Sequence, residues 1–320
     1  MNEVLKTIGD LGIVPVVAIN DAAHAVPLAR ALLAGGLPVA EITFRTAAAE
    51  ESIRRIAAEV PQVLVGAGTV LTPEQVDKAV GAGAKYIVSP GTNPAVVKRC
   101  QDHGVPVTPG TATPSDIEVA LGLGLNIVKF FPAEAVGGLK ALKAMAAPYG
   151  MMKFIPTGGI DAANINDYLA FPKVHACGGS WMVKTETIAA GRFDVIETLV
   201  REAVGTMLGF QLAHLGINTS GADASLAVTR SIAGLFGLMV KEGNSSNFAG
   251  TMVEVMKEPG LGTHGHMAVQ TNSIPRAIAY LARNDIGVDM GTAKGPAGGP
   301  VKAVYLEGEF GGFAIHLLQK

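Results

Sequence analysis

The stretch Ile13-Val14-Pro15-Val16-Val17-Ala18-Ile19 runs directly into Asn20-Asp21-Ala22, and its reading decides between two ways of building a parallel sheet. A doubly wound sheet that binds a dinucleotide normally leaves its first strand through a G-x-G-x-x-G turn. The residues after Ile19 offer no such turn. Further runs of β-branched and apolar residues occur at Val39–Phe44, Val63–Gly66, Tyr86–Ser89, Val105–Thr108, Ile127–Phe131, Phe154–Thr157 and Val174–Cys177. With Ile13–Ile19 they make eight, roughly 20 to 27 residues apart, with helix-forming stretches such as Ala22–Leu33 and Pro73–Val80 between them. That alternation predicts an α/β fold, a (β/α)8 TIM barrel over residues 1–207.

Past residue 205 the texture changes. Pro259–Thr263 and Gly291–Gly299 read as Gly/Pro-rich loops, and the chain repeats itself. A strand at His214-Leu-Gly-Ile-Asn218 is followed by a helical stretch, Ala222–Phe236, and by strand-like runs ending in Met252-Val-Glu-Val255. A strand at His266-Met-Ala-Val-Gln270 is followed by Ile274–Asn284, Ala303–Leu306 and Phe313–Leu318. Both halves read βαβββ, so residues 208–320 are expected to form a smaller α+β domain of paired modules.

Composition narrows the function. The 320 residues carry 25 Lys plus Arg against 27 Asp plus Glu, a net charge of −2, so no positive field exists to hold nucleic acid or an anionic membrane surface. Only 16% of residues are charged and 40 are glycine, which points to tight turns, much buried surface and a subunit interface. The longest apolar stretches, Leu11–Ile19 and Ser231–Val240, fall short of the roughly 18 residues that a membrane span needs. Glu3, Lys6 and Asp10 precede the first apolar run, unlike the basic start of a secretory signal. The two cysteines, Cys100 and Cys177, lack CxxC spacing. A cytoplasmic protein is expected.

Alternate residues of a barrel strand face the packed interior, where an ionisable group is costly unless chemistry keeps it there. In Val39-Ala-Glu-Ile-Thr-Phe44, Glu41 shares a face with Val39 and Thr43. In Ile127-Val-Lys-Phe-Phe131, Lys129 shares a face with Ile127 and Phe131. Burial disfavours the charged form of an amine, and the neutral form attacks carbonyls, so this is the setting a Schiff-base lysine requires. Glu41, Thr69, Pro90, Lys129, Thr157 and Ser180 all fall at or just beyond carboxyl ends of strands, where such barrels place their active sites. Arg45 sits four residues past Glu41, its planar fork suited to a carboxylate. Gly158-Gly159 and Gly178-Gly179-Ser180 close the seventh and eighth strands, whose loops commonly cradle phosphate.

These residues resemble the 2-keto-3-deoxy-6-phosphogluconate / 4-hydroxy-2-oxoglutarate aldolase family over about residues 5–200. The resemblance is carried by Glu41-Ile-Thr-Phe-Arg-Thr46, Gly66-Ala-Gly-Thr-Val70, Ser89-Pro-Gly91, Thr113-Pro-Ser115, Val128-Lys-Phe-Phe-Pro-Ala-Glu134, Pro156-Thr-Gly-Gly-Ile160 and Gly178-Gly-Ser-Trp181. Thr92-Asn93 depart from it, since many members have a leucine there. The resemblance implies a class I aldolase that needs no metal or other cofactor and forms a homotrimer or higher homo-oligomer. It implies that Lys129 forms the imine and Glu41 moves protons. Arg45, Thr69 and Thr157 would hold the substrate carboxylate, with Phe131 and Pro90 as lining. Gly158, Gly159, Gly179 and Ser180 would take the phosphate of a phosphorylated 2-keto-3-deoxy sugar acid. Two other readings of the barrel are a non-catalytic phosphoester-binding domain, with Lys129 purely electrostatic, and a phosphosugar isomerase, which uses Glu41 without an amine.

The paired βαβββ pattern resembles the glyoxalase / vicinal oxygen chelate superfamily. Its four ligand positions fall on His214, Glu254, His266 and His316, a set able to hold zinc, nickel, iron or manganese. The last position often carries Glu in metal-binding members. His264 is expected in a loop. The alternative is a metal-free domain that extends oligomerisation.

Overall fold

The computed structural model describes residues 2–320, and the chain divides into two compact units, Met1–Met207 and Leu208–Lys320. In the first unit the strands are β1 (Ile13–Val17), β2 (Val39–Thr43), β3 (Leu64–Gly68), β4 (Ile87–Val88), β5 (Val107–Thr108), β6 (Gly110–Thr111), β7 (Ile127–Phe130), β8 (Lys153–Pro156) and β9 (Cys177–Gly179). One parallel sheet runs β5-β4-β3-β2-β1-β9 and a second runs β6-β7-β8. Only Pro109 separates β5 from β6, and its carbonyl still accepts from Lys129 N–H at 2.9 Å. Parallel bridges Phe154↔Val174 and Thr157↔Gly178 join β8 to the last segment. The pairings therefore run around an aldolase-like barrel with eight strand positions.

The connections are punctuated by one recurring device. Thr72, Asn93 and Thr113 each cap a helix with a side-chain oxygen, and each is followed by proline at the first helical position. Proline there loses no hydrogen bond, because that N–H has no partner within the helix.

Most element boundaries shift by one or two residues from expectation, and two larger differences have a clear cause. The helix expected over Ala22–Leu33 is split, because Asp21 Oδ1 accepts from Ala23 N–H and sets a 3-10 turn, Ala22–His24, before the α-helix Ala25–Ala34. The eighth strand lies at Cys177–Gly179 rather than Val174–Cys177, since the ladder with β1 begins at Ile13↔Cys177.

The second unit holds β10 (Gln211–Ile217), β11 (Val240–Glu242), β12 (Ser246–Ala249), β13 (Val253–Met256), β14 (Gly265–Thr271), β15 (Val288–Lys294), β16 (Ala303–Leu306) and β17 (Phe313–Gln319), with helices Ala222–Phe236 and Ile274–Ala282. Its sheet order is β11-β12-β13-β10-β14-β17-β16-β15. In each half the first strand pairs in parallel with the last, β10 with β13 and β14 with β17, and the halves meet through antiparallel β10–β14. The stretch Gly291–Gly299 is not all loop. Its first four residues belong to β15, where pairing to β16 through Asp289↔Tyr305 and Lys294↔Ala303, with a bulge between, overrides the glycine-rich sequence. Among the described residues no helix is long and apolar enough to cross a membrane.

Candidate active site and candidate metal centre

Glu41 on β2 and Lys129 on β7 both point into the barrel, 3% and 4% exposed. Their Oε1 and Nζ lie 3.5 Å apart. The sequence places apolar walls around the amine, and Val14, Val88 and Ile155 are there, but so are Glu41, Tyr86, Thr108 and Thr157. The amine thus meets a buried carboxylate, and its Nζ lies 5.0 Å from the centre of the Phe131 ring, a favourable cation–π position. Two glycines of Gly66-Ala67-Gly68 make this arrangement possible. A Cβ on Gly68 would run into Glu41 Oε1, and one on Gly66 into the ring of Tyr86. Tyr86 is fully buried with its hydroxyl unpartnered. Burial, reinforced by the charge of Glu41, pushes its phenol well above the usual range.

Above this pair opens a cavity of about 460 Å³ lined by Arg45, Phe131, Thr157, Gly158, Gly159, Gly179 and Ser180. Thr157 faces both this mouth and the small interior space around Lys129 and so joins the two. Arg45 Nε donates to Thr69 Oγ1 at 3.2 Å, which brings Thr69 to the same rim. Thr69 has φ of 56°, a left-handed conformation that costs a β-branched residue energy and recurs at functional sites. Pro90 is placed elsewhere, in a hollow with Val70, Ser89, Gly91 and Asn93. The Thr92-Asn93 departure has a structural account there. Asn93 Oδ1 caps the helix Pro94–Asp102 and its Nδ2 donates to Leu71 O at 3.3 Å, while Thr92 Oγ1 donates to Gly110 O at 2.9 Å. Sequence reasoning passed over Lys184 and Tyr86. Lys184 also lines the mouth, and the available signal was its position four residues beyond Ser180.

In the second unit the sheet register assembles the four predicted side chains on one face. Gly216 pairs with Glu254 on one side and with His266 on the other. A Cβ on Gly216 would run into the His266 ring, so glycine lets imidazole and carboxylate meet across the strand between them. His266 Nε2 and His214 Nε2 each lie 3.1 Å from Glu254 Oε2 and 3.2 Å from one another. Ala268 pairs with both His214 and His316, so a small residue again lies between two imidazoles. One nitrogen from each of His214, His266 and His316 falls within 4.8 Å of the others. Glu254 touches two of the three imidazoles. Burial works against its charged form, but hydrogen bonds from His214, His266 and Ser246 outweigh that and hold its carboxyl far below the usual range. His316 stacks on Tyr305 with ring centroids 4.8 Å apart. Its Nε2 is buried without a partner, and burial, then the neighbouring imidazoles, lower its pKa to about 4. His264 lies just outside β14, against Phe313.

Comparison with known proteins falls on the first unit. The family described as "Aldolase: KDPG and KHG aldolase" matches residues 3–199. The 2-dehydro-3-deoxy-phosphogluconate aldolase of Haemophilus influenzae is 50% identical over 202 residues, 63% of this chain and 95% of its own length. The KHG/KDPG aldolase of Escherichia coli K12 is 47% identical over 192 residues, 60% of this chain and 90% of its own. The crystal structure of KDPG aldolase from Legionella pneumophila, with pyruvate captured as a covalent carbinolamine intermediate, superposes with a TM-score of 0.61 at 38% identity. The match covers 63% of this chain and 98% of that one.

Proposed function

The chain belongs to the KDPG and KHG aldolase family and is a class I aldolase, a carbon–carbon lyase; on that footing we propose that its first unit cleaves 2-keto-3-deoxy-6-phosphogluconate to pyruvate and glyceraldehyde 3-phosphate, and 4-hydroxy-2-oxoglutarate to pyruvate and glyoxylate. The observation that carries this reading is the buried amine 3.5 Å from a buried carboxylate, opening through Thr157 onto a mouth with paired glycines and a serine.

The chemistry follows from those groups. Glu41 takes a proton from the Lys129 ammonium, and the free amine adds to the C2 carbonyl. Water leaves with the help of a proton returned by Glu41, and a protonated imine remains. That cation is an electron sink. When Glu41, again a carboxylate, takes the proton of the C4 hydroxyl, the C3–C4 electron pair flows into the imine, which releases the aldehyde and leaves an enamine. Protonation at C3 and hydrolysis then free pyruvate and restore the amine. Arg45 and Thr69 lie where they would orient the carboxylate, and Phe131 flanks the amine. Ser180→Asp tests the phosphate end. A carboxylate there should lower kcat/KM for the phosphorylated substrate about a hundredfold or more through like-charge repulsion, with a much smaller effect on 4-hydroxy-2-oxoglutarate. Unchanged preference between the two substrates would remove Ser180 from phosphate binding.

For the second unit the reading is a glyoxalase / vicinal oxygen chelate domain that holds a divalent ion on His214, His266, His316 and Glu254. The specific support is the buried, unpartnered Nε2 of His316 beside two imidazole nitrogens 3.2 Å apart. Two of the three nitrogens stand at the roughly 3.3 Å edge of a tetrahedral site with metal–nitrogen bonds of about 2.0 Å, and all three lie within 4.8 Å of one another. Three imidazoles and one carboxylate suit zinc, nickel, iron or manganese, and the bound ion would supply a Lewis acid. Metal content of the purified full chain should approach one ion per chain and fall sharply in His266→Ala. An absence of bound ion in the unsubstituted protein after incubation with each metal would refute the site.

A further inference from the structure

The loop Thr157-Gly158-Gly159-Ile160 forms one wall of the mouth, and its two glycines have φ of 97° and 81°. Such a backbone has few restraints of its own, so something must hold it. The restraint comes from the segment after β7. Ala133 N–H donates to Thr157 O at 2.8 Å and Glu134 N–H to Gly158 O at 3.0 Å. The stem of Glu134 fills the place where a Gly159 side chain would begin, since a Cβ there would lie 2.6 Å from Glu134 Cβ and Cγ. From the helix Ile165–Leu169, the hydroxyl of Tyr168, 1% exposed, donates to Glu134 Oε1. Gly138, with φ of 61°, leaves room for that contact, because a Cβ on it would approach both Glu134 Oε1 and the Tyr168 hydroxyl. On the far side, Asn164 Nδ2 donates to Gly159 O at 2.9 Å.

We propose that Glu134 and Tyr168 are a positioning pair that fixes the Gly158-Gly159 loop against the phosphate of the substrate, and so set the preference for phosphorylated over unphosphorylated keto acids. Neither side chain lines the mouth or the interior space around Lys129. Their action is indirect, through the backbone of the loop. The carboxylate acts by accepting one hydrogen bond, so an amide oxygen in the same place serves equally well. This rests on the reading of Gly158 and Gly159 as the phosphate end, and the test separates the two.

KM and kcat for the phosphorylated keto acid and for 4-hydroxy-2-oxoglutarate, with inhibition by inorganic phosphate, are measured in the full chain and in Tyr168→Phe, Glu134→Ala and Glu134→Gln. Tyr168→Phe and Glu134→Ala should each raise KM for the phosphorylated substrate roughly five- to tenfold, the value of one hydrogen bond, and weaken phosphate inhibition in step. Their effect on 4-hydroxy-2-oxoglutarate should be clearly smaller, and Glu134→Gln should restore phosphate affinity to within about twofold. Equal losses on both substrates, or unaltered phosphate affinity in Tyr168→Phe and Glu134→Ala, would overturn the proposal. If the unsubstituted protein neither prefers the phosphorylated substrate nor is inhibited by phosphate, the phosphate-end reading itself falls. Glu134→Gln keeps the stem and an acceptor, so it tests the pair even if the alanine variant fails to fold.

Discussion

Replacement of Lys129 by arginine is expected to abolish cleavage, with kcat/KM lower by about five orders of magnitude. Arginine is the informative replacement because it preserves what a purely electrostatic lysine would do. It keeps a positive charge beside Glu41, where the native pair is separated by 3.5 Å, and it can stack on Phe131 as the ammonium does. Its guanidinium stays protonated at any accessible pH, so it cannot add to a ketone. The matching measurement is borohydride reduction in the presence of pyruvate, read by mass on the peptide that contains residue 129. The unsubstituted protein should carry one stable adduct on Lys129 and the variant none. A Lys129→Arg protein that retained cleavage would show that the amine is not the nucleophile, and one that isomerised a phosphosugar instead would favour the isomerase reading, in which Glu41 works without an amine. A folded, unsubstituted protein that takes up no adduct would reject the imine route outright.

The two central side chains were legible because strand periodicity is strict. Glu41 and Lys129 lie in runs whose other members, Thr43 aside, are apolar, and a period of two decides which neighbours share their face. Their meeting was not legible. They are 88 residues apart in sequence, and only closure of the barrel brings β2 and β7 to the same interior. Nor did the sequence reveal why Gly66 and Gly68 are glycine, since the groups that need the space are Tyr86, just before β4, and Glu41 on β2. The same limit explains Gly216, whose role appears only once register places it between Glu254 and His266. Local chemistry misled where pairing dominated. The glycine at position 291 reads as loop, yet a bulged ladder with β16 holds it in β15. Pro90, which matches a lining position by motif, lies in a hollow with Val70, Ser89, Gly91 and Asn93.

Glu41→Gln is the second large effect, and its two consequences must be read separately. Among the described residues Glu41 is the only carboxylate lining the small interior space around Lys129, so it is the group positioned to relay protons to and from the amine, and its loss should cost roughly 10²- to 10⁴-fold in kcat. Glutamine is nearly isosteric and still accepts a hydrogen bond, but it leaves the Lys129 ammonium without a counter-charge at 4% exposure. Removal of one partner of a buried pair typically costs about 3–5 kcal/mol of stability. Denaturant unfolding of the variant should therefore show a lower midpoint with an unchanged slope. Activity must be compared under conditions where the variant remains folded. There, the discriminating readout is the rate of imine formation. Trapping with pyruvate and borohydride should still label Lys129 in the variant, only far more slowly, because the nucleophile is intact and its proton relay is missing. Labelling at the unsubstituted rate, with cleavage equally intact, would show that protons reach the amine by another path, and the mechanism built on the Glu41–Lys129 pair would have to be abandoned even though the family assignment would stand.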